Sequence, residues 1–110
     1  MERFIKGDIV VVYFPFSDLS QTKKRPALVV SQVETEDLIL CQITSKNVKD
    51  SYSIPISNND IEQGSLKQES HVRPNKIFTA DRNIISYKIG NLKSEKLQQI
   101  TNSIINIIQN

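Results

Sequence analysis

Three consecutive cations, Lys23, Lys24 and Arg25, stand directly before Pro26 and the apolar run Ala27–Val30. Because proline fixes its own φ angle and has no N–H group, Pro26 fits the first residue of a strand and favours an extended backbone at Arg25. The spacing predicts a corner where a loop enters a strand, with the Arg25 guanidinium able to hold a phosphate through two parallel hydrogen bonds. Such cations are also typical of residues that keep the start of an apolar strand soluble.

A second candidate group is the hydroxyl of Thr44, which follows the apolar segment Leu38–Ile43 and precedes the polar residues Ser45 and Lys46. Alternation along this strand places Thr44 on the face of Leu38, opposite to the face of Ile43. A hydroxyl at the end of a strand is positioned by the sheet and is still accessible to a ligand. Threonine also favours strand ends simply because it is β-branched.

Metal and thiol chemistry are not favoured by this sequence. Cys41 is the single cysteine and His71 the single histidine, so one chain offers neither a structural zinc site nor a histidine pair for acid–base catalysis. Cys41 lies in an apolar segment and is predicted to be a core residue, and His71 is predicted to be structural or peripheral. We therefore expect no metal and no cofactor.

The size and charge of the chain set broad limits. Its 110 residues predict one domain spanning 1–110. The net charge of +2 and the pI near 8.7 are only mildly basic, so an anion site has to come from local clustering of cations. Because no apolar run is long enough to cross a bilayer and the amino terminus lacks the pattern of a signal peptide, we expect a cytoplasmic protein that does not contact membranes.

The elements that must position Arg25 and Thr44 are mainly strands. The apolar and β-branched patterns predict strands over Ile9–Phe14, Ala27–Val33, Leu38–Thr44, Ser53–Ile56 at a sheet edge, and Ser70–Arg73, which Pro74 ends. The first three have short links, which favours an antiparallel meander. One helix is predicted, with Ser94 as its N-cap and an apolar stripe of Leu97, Ile100, Thr101, Ile104, Ile105 and Ile108. This order predicts a small, strongly twisted antiparallel barrel with a C-terminal helix.

Four segments in this order resemble the MazF/PemK family of toxin endoribonucleases. They are Gly7–Val10, Lys24–Val29 with its Arg-Pro pair, Gln42–Ser45, and Val72–Asp81. The resemblance spans nearly the whole chain. It implies an SH3-like barrel, a homodimer, and inhibition by a cognate antitoxin that lies over an RNA groove.

The resemblance also implies which residues act on the substrate. The catalytic arginine and threonine of the family correspond to Arg25 and Thr44. The family commonly has Gly-Ser-Glu-Gln before the arginine, whereas this chain has Asp18-Leu19-Ser20-Gln21-Thr22, so no glutamate role carries over.

The implied reaction is metal-independent cleavage of single-stranded RNA, in which the ribose 2′-hydroxyl attacks the adjacent phosphate. Arg25 would stabilise the charge that develops on the phosphate, Thr44 would hydrogen-bond a phosphate oxygen, and Asp18 is a candidate for the general base. The predicted RNA contacts outside the catalytic pair are Ser17, Asp18, Lys23, Lys24, Ser45, Lys46, Arg73 and Lys76.

Two other functions are compatible with the sequence. One is a noncatalytic module that binds RNA or protein, because small barrels of this kind bind such partners without cleaving them. The other is a toxin of the CcdB type that poisons DNA gyrase; those proteins share the barrel but lack the pairing of Arg-Pro with the threonine.

Overall fold

The computed structural model describes residues 3–15, 22–33, 36–46 and 50–110. Apolar, β-branched segments form most of it. The strands are β1 (Asp8–Pro15), β2 (Thr22–Gln32), β3 (Asp37–Thr44), β4 (Ile54–Ile56), β5 (Ile61–Gly64), β6 (Ser70–Asp81) and β7 (Ile85–Leu92). The helix α1 spans Ser94–Gln109, and single 3₁₀ turns cover Asn58–Asp60 and Arg82–Ile84.

The seven strands form one antiparallel sheet in the order β4-β6-β3-β2-β1-β7-β5. The predicted meander of β1, β2 and β3 is confirmed, as is the position of β4 at a sheet edge. The mainly β fold with a C-terminal helix is therefore confirmed as well.

Alternation along the strands divides the buried side chains into two clusters, one on each face of the sheet. The cluster on the helix side includes Ile9, Leu28, Cys41, Ile43, Val72, Leu92 and Ile100. The opposite cluster consists of Phe4, Val10, Val12, Ala27, Val29, Leu38 and Leu40. Burial on both faces explains the unbroken apolar runs Ile9–Val12 in β1 and Ala27–Val29 in β2. It also makes the central strands a rigid base for the polar residues at their ends.

The predicted corner at Arg25 is wrong. Strand β2 begins at Thr22, and Arg25 lies opposite Val12 within the ladder between β1 and β2. The ladder between β2 and β3, however, begins only at Ala27. Pro26 therefore lies just outside the regular ladder to β3, a position that suits a residue without an N–H group.

The prediction that Pro74 ends a strand is also wrong, because β6 continues from Ser70 to Asp81. The ladder to β3 shifts register between the pairs Cys41–Ile77 and Ile43–Val72. Pro74 lies within this irregular part of β6 and is fully buried. A bulge tolerates proline since it interrupts the regular hydrogen bonds of the ladder.

The helix begins one residue earlier than predicted. Lys93 is the N-cap, and Ser94 is the first helical residue. Ile100 is fully buried and Leu97 and Ile104 pack against the same cluster, whereas the predicted stripe residues Ile105 and Ile108 remain exposed. None of the described helices is long and apolar enough to span a membrane.

Candidate active site at the end of the sheet

Arg25 and Thr44 meet where the ladder between β2 and β3 stops. The pairs Leu28–Cys41 and Ala27–Gln42 define the register. Continued by two residues, this register places Arg25 opposite Thr44. Opposite residues in an antiparallel pair share a face, and Arg25 and Thr44 line the same two concavities, so the fold brings the two residues to one location.

This location separates two concavities. The larger, of about 510 Å³, opens on the helix-side face of the sheet, and the smaller, of about 230 Å³, opens beside Phe78 and Arg73. Arg25, Pro26, Ile43 and Thr44 line both of them. An extended ligand that crosses this edge of the sheet would therefore contact the Arg25–Thr44 pair from either side.

The hydroxyl of Thr44 is oriented by the chain that follows it. Its Oγ1 accepts a hydrogen bond of 3.2 Å from the backbone N–H of Lys46. This local turn uses the hydroxyl as an acceptor, so the O–H group remains able to donate to an oxygen of a ligand. Both Thr44 and Arg25 are half-buried, which restricts their side chains while leaving part of each accessible.

The described residues that line the two concavities include cations but no Asp or Glu. Lys24, Arg25 and Lys67 line the larger, and Arg25, Lys46 and Arg73 line the smaller. A concavity of about 390 Å³ at the other end of β2 differs, because Glu36 and Asp37 are among its lining residues. Cations without carboxylates in a concave surface favour a polyanion.

Arg73 is anchored by an acid. Its Nη2 donates to Asp50 Oδ2 at 3.0 Å, and Asn75 Nδ2 donates to the same oxygen at 3.4 Å. Asp50 Oδ1 also accepts from the backbone N–H groups of Tyr52 and Ser53. The hydrogen bond from Arg73, supported by these N–H groups, lowers the pKa of Asp50 below its ordinary value of 3.8.

The remaining predicted RNA contacts are distributed unevenly. Ser45 lines the larger concavity, together with Lys24. Lys23 and Lys76 are exposed but line neither concavity. Ser17 and the candidate base Asp18 lie outside the described residues.

Cys41 and His71 are adjacent to the site but line neither concavity. Burial raises the pKa of the Cys41 thiol to about 12, and Sγ donates to the Arg73 carbonyl at 2.8 Å. His71 is opposite Thr44 in the register of β3 and β6, and its Nδ1 is buried without a hydrogen-bond partner among the described residues. In the part of the chain that is described, no three His, Cys, Asp or Glu residues are grouped so that they could hold a metal ion.

Sequence reasoning missed the segment Ser65–Gln68, which forms part of the larger concavity. The amide of Asn58 holds it from both sides, since Oδ1 accepts from Leu66 N at 2.7 Å and Nδ2 donates to Leu66 O at 3.2 Å. Gly64 precedes the segment with a φ of +94°, and a side chain there would collide with the Ile89 carbonyl. In the sequence, Gly64 was the only local indication that the segment Ser65–Gln68 has a fixed conformation.

Comparisons with known proteins agree with this architecture. The MazF of Deinococcus radiodurans has 17% sequence identity and a TM-score of 0.76, with 100% of each chain covered. A MazE–MazF complex of the same organism has 16% identity and a TM-score of 0.76, covering 96% of this chain and 95% of that one. An endoribonuclease from a mycobacterial species, solved with its cognate antitoxin, has 14% identity and a TM-score of 0.75, covering 97% and 96%.

Among curated proteins, none matches the chain. A family model does match, over residues 5–108, and its description is PemK-like, MazF-like toxin of type II toxin–antitoxin system. The match covers nearly every element that builds the site, from β1 to α1. The chain therefore belongs to the PemK-like, MazF-like family of type II toxins.

Proposed function

We propose that this toxin is a metal-independent endoribonuclease that cleaves single-stranded RNA and leaves 2′,3′-cyclic phosphate and 5′-hydroxyl ends. The observation that carries the proposal is the Arg25–Thr44 pair on the wall shared by two cationic concavities. The family supports it, as do structural neighbours that are themselves described as endoribonucleases.

The substrate supplies its own nucleophile in this reaction. The ribose 2′-oxygen loses its proton and forms a bond to the adjacent phosphorus, while the bond from phosphorus to the 5′-oxygen breaks and that oxygen takes up a proton. The protein then has two main tasks, which are to orient the phosphate and to stabilise its developing charge. No metal ion is required for either task.

Arg25 and Thr44 divide these tasks according to their chemistry. A guanidinium is always protonated, with a pKa above about 12, so Arg25 stabilises charge rather than accepting a proton. Thr44 donates from its O–H group to a nonbridging phosphate oxygen, held in position by the hydrogen bond from Lys46 N. Lys24 and Lys46 approach the phosphates on the two sides of this centre.

The proposed partners follow from the family and its complexes. Structures of related toxins contain a cognate antitoxin, and we propose that a cognate antitoxin binds this chain over the RNA groove. We also propose that the protein is cytoplasmic and that it forms a homodimer. Light scattering on the purified protein would test the homodimer through its mass in solution.

The decisive experiment is incubation of the purified protein with a single-stranded RNA of mixed sequence in EDTA, followed by mapping of the ends. We expect cuts that carry 2′,3′-cyclic phosphates and 5′-hydroxyls. RNA that is bound but remains intact would contradict the proposal and indicate a noncatalytic module. DNA breaks that require gyrase, with RNA uncut, would instead indicate a gyrase poison.

A further inference from the structure

Two exposed tyrosines and one lysine form a patch beside the candidate active site. Lys24 Nζ lies 5.4 Å from the centre of the Tyr13 ring and 5.7 Å from the centre of the Tyr87 ring. Both distances are within the range of a cation–π interaction. Tyr13 and Tyr87 are nevertheless 44% and 49% exposed as residues, so one cation lies near two aromatic residues that solvent can reach. We refer to Tyr13, Lys24 and Tyr87 as the tyrosine patch.

The sheet register explains why the patch forms. Tyr13 lies opposite Lys24 on β2, while Tyr87 on β7 lies opposite Val11. Val11 and Tyr13 are two residues apart on β1, so their side chains share a face. The patch consequently lies across three neighbouring strands, with β1 at its centre.

The patch is continuous with the larger concavity. Lys24 and Tyr87 both line it, as do Arg25 and Thr44. Lys24 is also the direct neighbour of Arg25 in the chain, on the opposite face of the strand. A strand of RNA whose phosphate contacts Arg25 would therefore meet the tyrosine patch on the helix-side face.

The composition of the patch matches the chemistry of an unpaired nucleotide. Proteins that bind single-stranded nucleic acid use aromatic rings for stacking with bases and nearby cations for the backbone phosphates. Here both tyrosines are exposed, the Lys24 ammonium group is near both rings, and the described lining of the concavity has no carboxylate that would repel a phosphate.

We propose that the tyrosine patch is a stacking subsite for an unpaired base of the RNA next to the cleaved phosphate, with Tyr87 as the main contact and Tyr13 as its support. This inference rests on the proposed ribonuclease function. Tyr87 is assigned the main contact because it lines the concavity together with Arg25, whereas Tyr13 does not.

The test compares Tyr87→Ala and Tyr13→Ala with Tyr52→Ala. Tyr52 is a matched control because it is 41% exposed but lines neither concavity. The probe is a fluorescent RNA of the mapped cleavage site with 2′-O-methyl groups, which cannot undergo attack by the 2′-oxygen. We expect Tyr87→Ala to weaken binding about tenfold or more, which is within the range of base–aromatic stacking. Tyr87→Phe should bind like the unmodified protein, since it keeps the ring.

Cleavage kinetics separate this role from catalysis. With unmodified RNA, Tyr87→Ala should raise KM and leave kcat nearly unchanged. Abasic nucleotides placed one at a time in the probe would identify the stacked base, because at that position the Tyr87→Ala variant and the unmodified protein should bind equally. Thermal melting would verify that each variant remains folded.

Three outcomes would overturn the inference. The first is equal affinity of Tyr87→Ala and Tyr52→Ala for the probe. The second is that no abasic position removes the difference in affinity between Tyr87→Ala and the unmodified protein. The third is that Tyr87→Ala loses self-association while its RNA affinity is unchanged, which would assign the patch to an interface between copies. Failure of the proposed function looks different, because the unmodified protein would then leave RNA uncut whatever the tyrosine variants do.

Discussion

The chain contains the dipeptide Arg-Pro twice, and the structure places the two copies in different environments. Arg25-Pro26 lies on a part of β2 that extends past the ladder to β3, and its arginine lines both concavities. Arg73-Pro74 lies in the irregular part of β6, where the proline is fully buried and the arginine is held by Asp50 at 3.0 Å. Both arginines line the smaller concavity.

The comparison shows that the Arg-Pro dipeptide determines the backbone conformation, whereas the neighbouring residues determine the role of the arginine. Proline favours an extended conformation at the residue before it in both copies. At position 25 this presents a cation to a concave surface whose described lining has no acid. At position 73 it presents a cation to a carboxylate that also accepts three further hydrogen bonds, so we expect Arg73 to act mainly in positioning the end of β6.

The largest effect should come from Arg25→Ala, with Arg73→Ala as the matched variant. Loss of charge stabilisation at a developing oxyanion costs about 3 kcal/mol, so we expect Arg25→Ala to lower kcat about 100-fold or more. Arg73→Ala should retain most activity once the rates are corrected for the folded fraction. Rates measured on a fluorescent RNA would check both; equal losses in the two variants would remove the distinction between the two arginines.

A smaller loss is expected for Thr44→Val, which keeps the shape of the side chain and removes the hydroxyl. One hydrogen bond to the phosphate corresponds to about 1.5 kcal/mol, or roughly tenfold in kcat. Thr44→Ser keeps the hydroxyl and should restore most of the rate. If the Thr44→Val variant cleaves RNA as fast as the Thr44→Ser variant, the Thr44 hydroxyl does not act with Arg25 in the reaction.

Asp50→Asn would test the anchor of Arg73 through stability. The folded-state pKa of Asp50 is lowered, so the ionised carboxylate contributes stability that is fully present above its ordinary value of 3.8 and is lost as the pH falls through the folded-state value. We expect a lower Tm for the variant at pH 7 and a difference that shrinks toward pH 3.

The control for this measurement is Glu36→Gln. The side chain of Glu36 is 57% exposed, and its Oε2 lies 3.8 Å from Arg82 Nε. An ion pair exposed in this way contributes little to stability. Its Tm should therefore change little at either pH. A pH-independent Tm difference for Asp50→Asn would show that the carboxylate does not stabilise the fold through its charge.

The salt dependence of RNA affinity should distinguish a cation that contacts phosphate, such as Lys46, from Arg73, which is already paired with Asp50. Each contact with single-stranded RNA contributes about −0.7 to the slope of log affinity against log salt. Lys46→Ala should reduce the slope by about that amount, whereas Arg73→Ala should change it less, because Asp50 already neutralises Arg73. Titrations of the 2′-O-methyl probe at several salt concentrations would measure both slopes, and a larger change for Arg73→Ala would contradict the comparison.

The smallest effect is expected at Cys41, whose Sγ contacts the Arg73 carbonyl. Its thiol is buried, and its pKa near 12 leaves almost no thiolate at pH 8. Treatment with a thiol reagent should leave the native protein unmodified and active, and labelling should require denaturant. Rapid inactivation of the native protein by the reagent would contradict this prediction and indicate that a reactive thiol is needed for activity.

Much of the fold could be predicted because it depends on local pattern. The apolar runs of β1, β2 and β3 identified strands, and Leu97, Ile100 and Ile104 identified a helix face. The errors at Arg25 and Pro74 share one cause. At both sites proline predicts a strand boundary, but a ladder that ends or bulges accommodates it, and only the pairing of distant segments determines where that happens.

By itself, the sequence determined the chemical identity of the candidate groups. These are a permanently charged guanidinium in an extended backbone, a hydroxyl at the end of a strand, and a single cysteine and histidine that offer no metal site of their own. Residue type and the spacing of apolar positions carry that information locally.

Only the tertiary structure decided which groups meet. The pairing of β2 with β3 brought Arg25 and Thr44 to the same two concavities, Asp50 paired with Arg73 across 23 residues of chain, and β1 placed Tyr13 between Lys24 and the strand of Tyr87. Each of these contacts depends on how far one strand slides along another. Burial of both faces of the sheet fixes that register, since a shift of one residue would move the buried side chains to the wrong face.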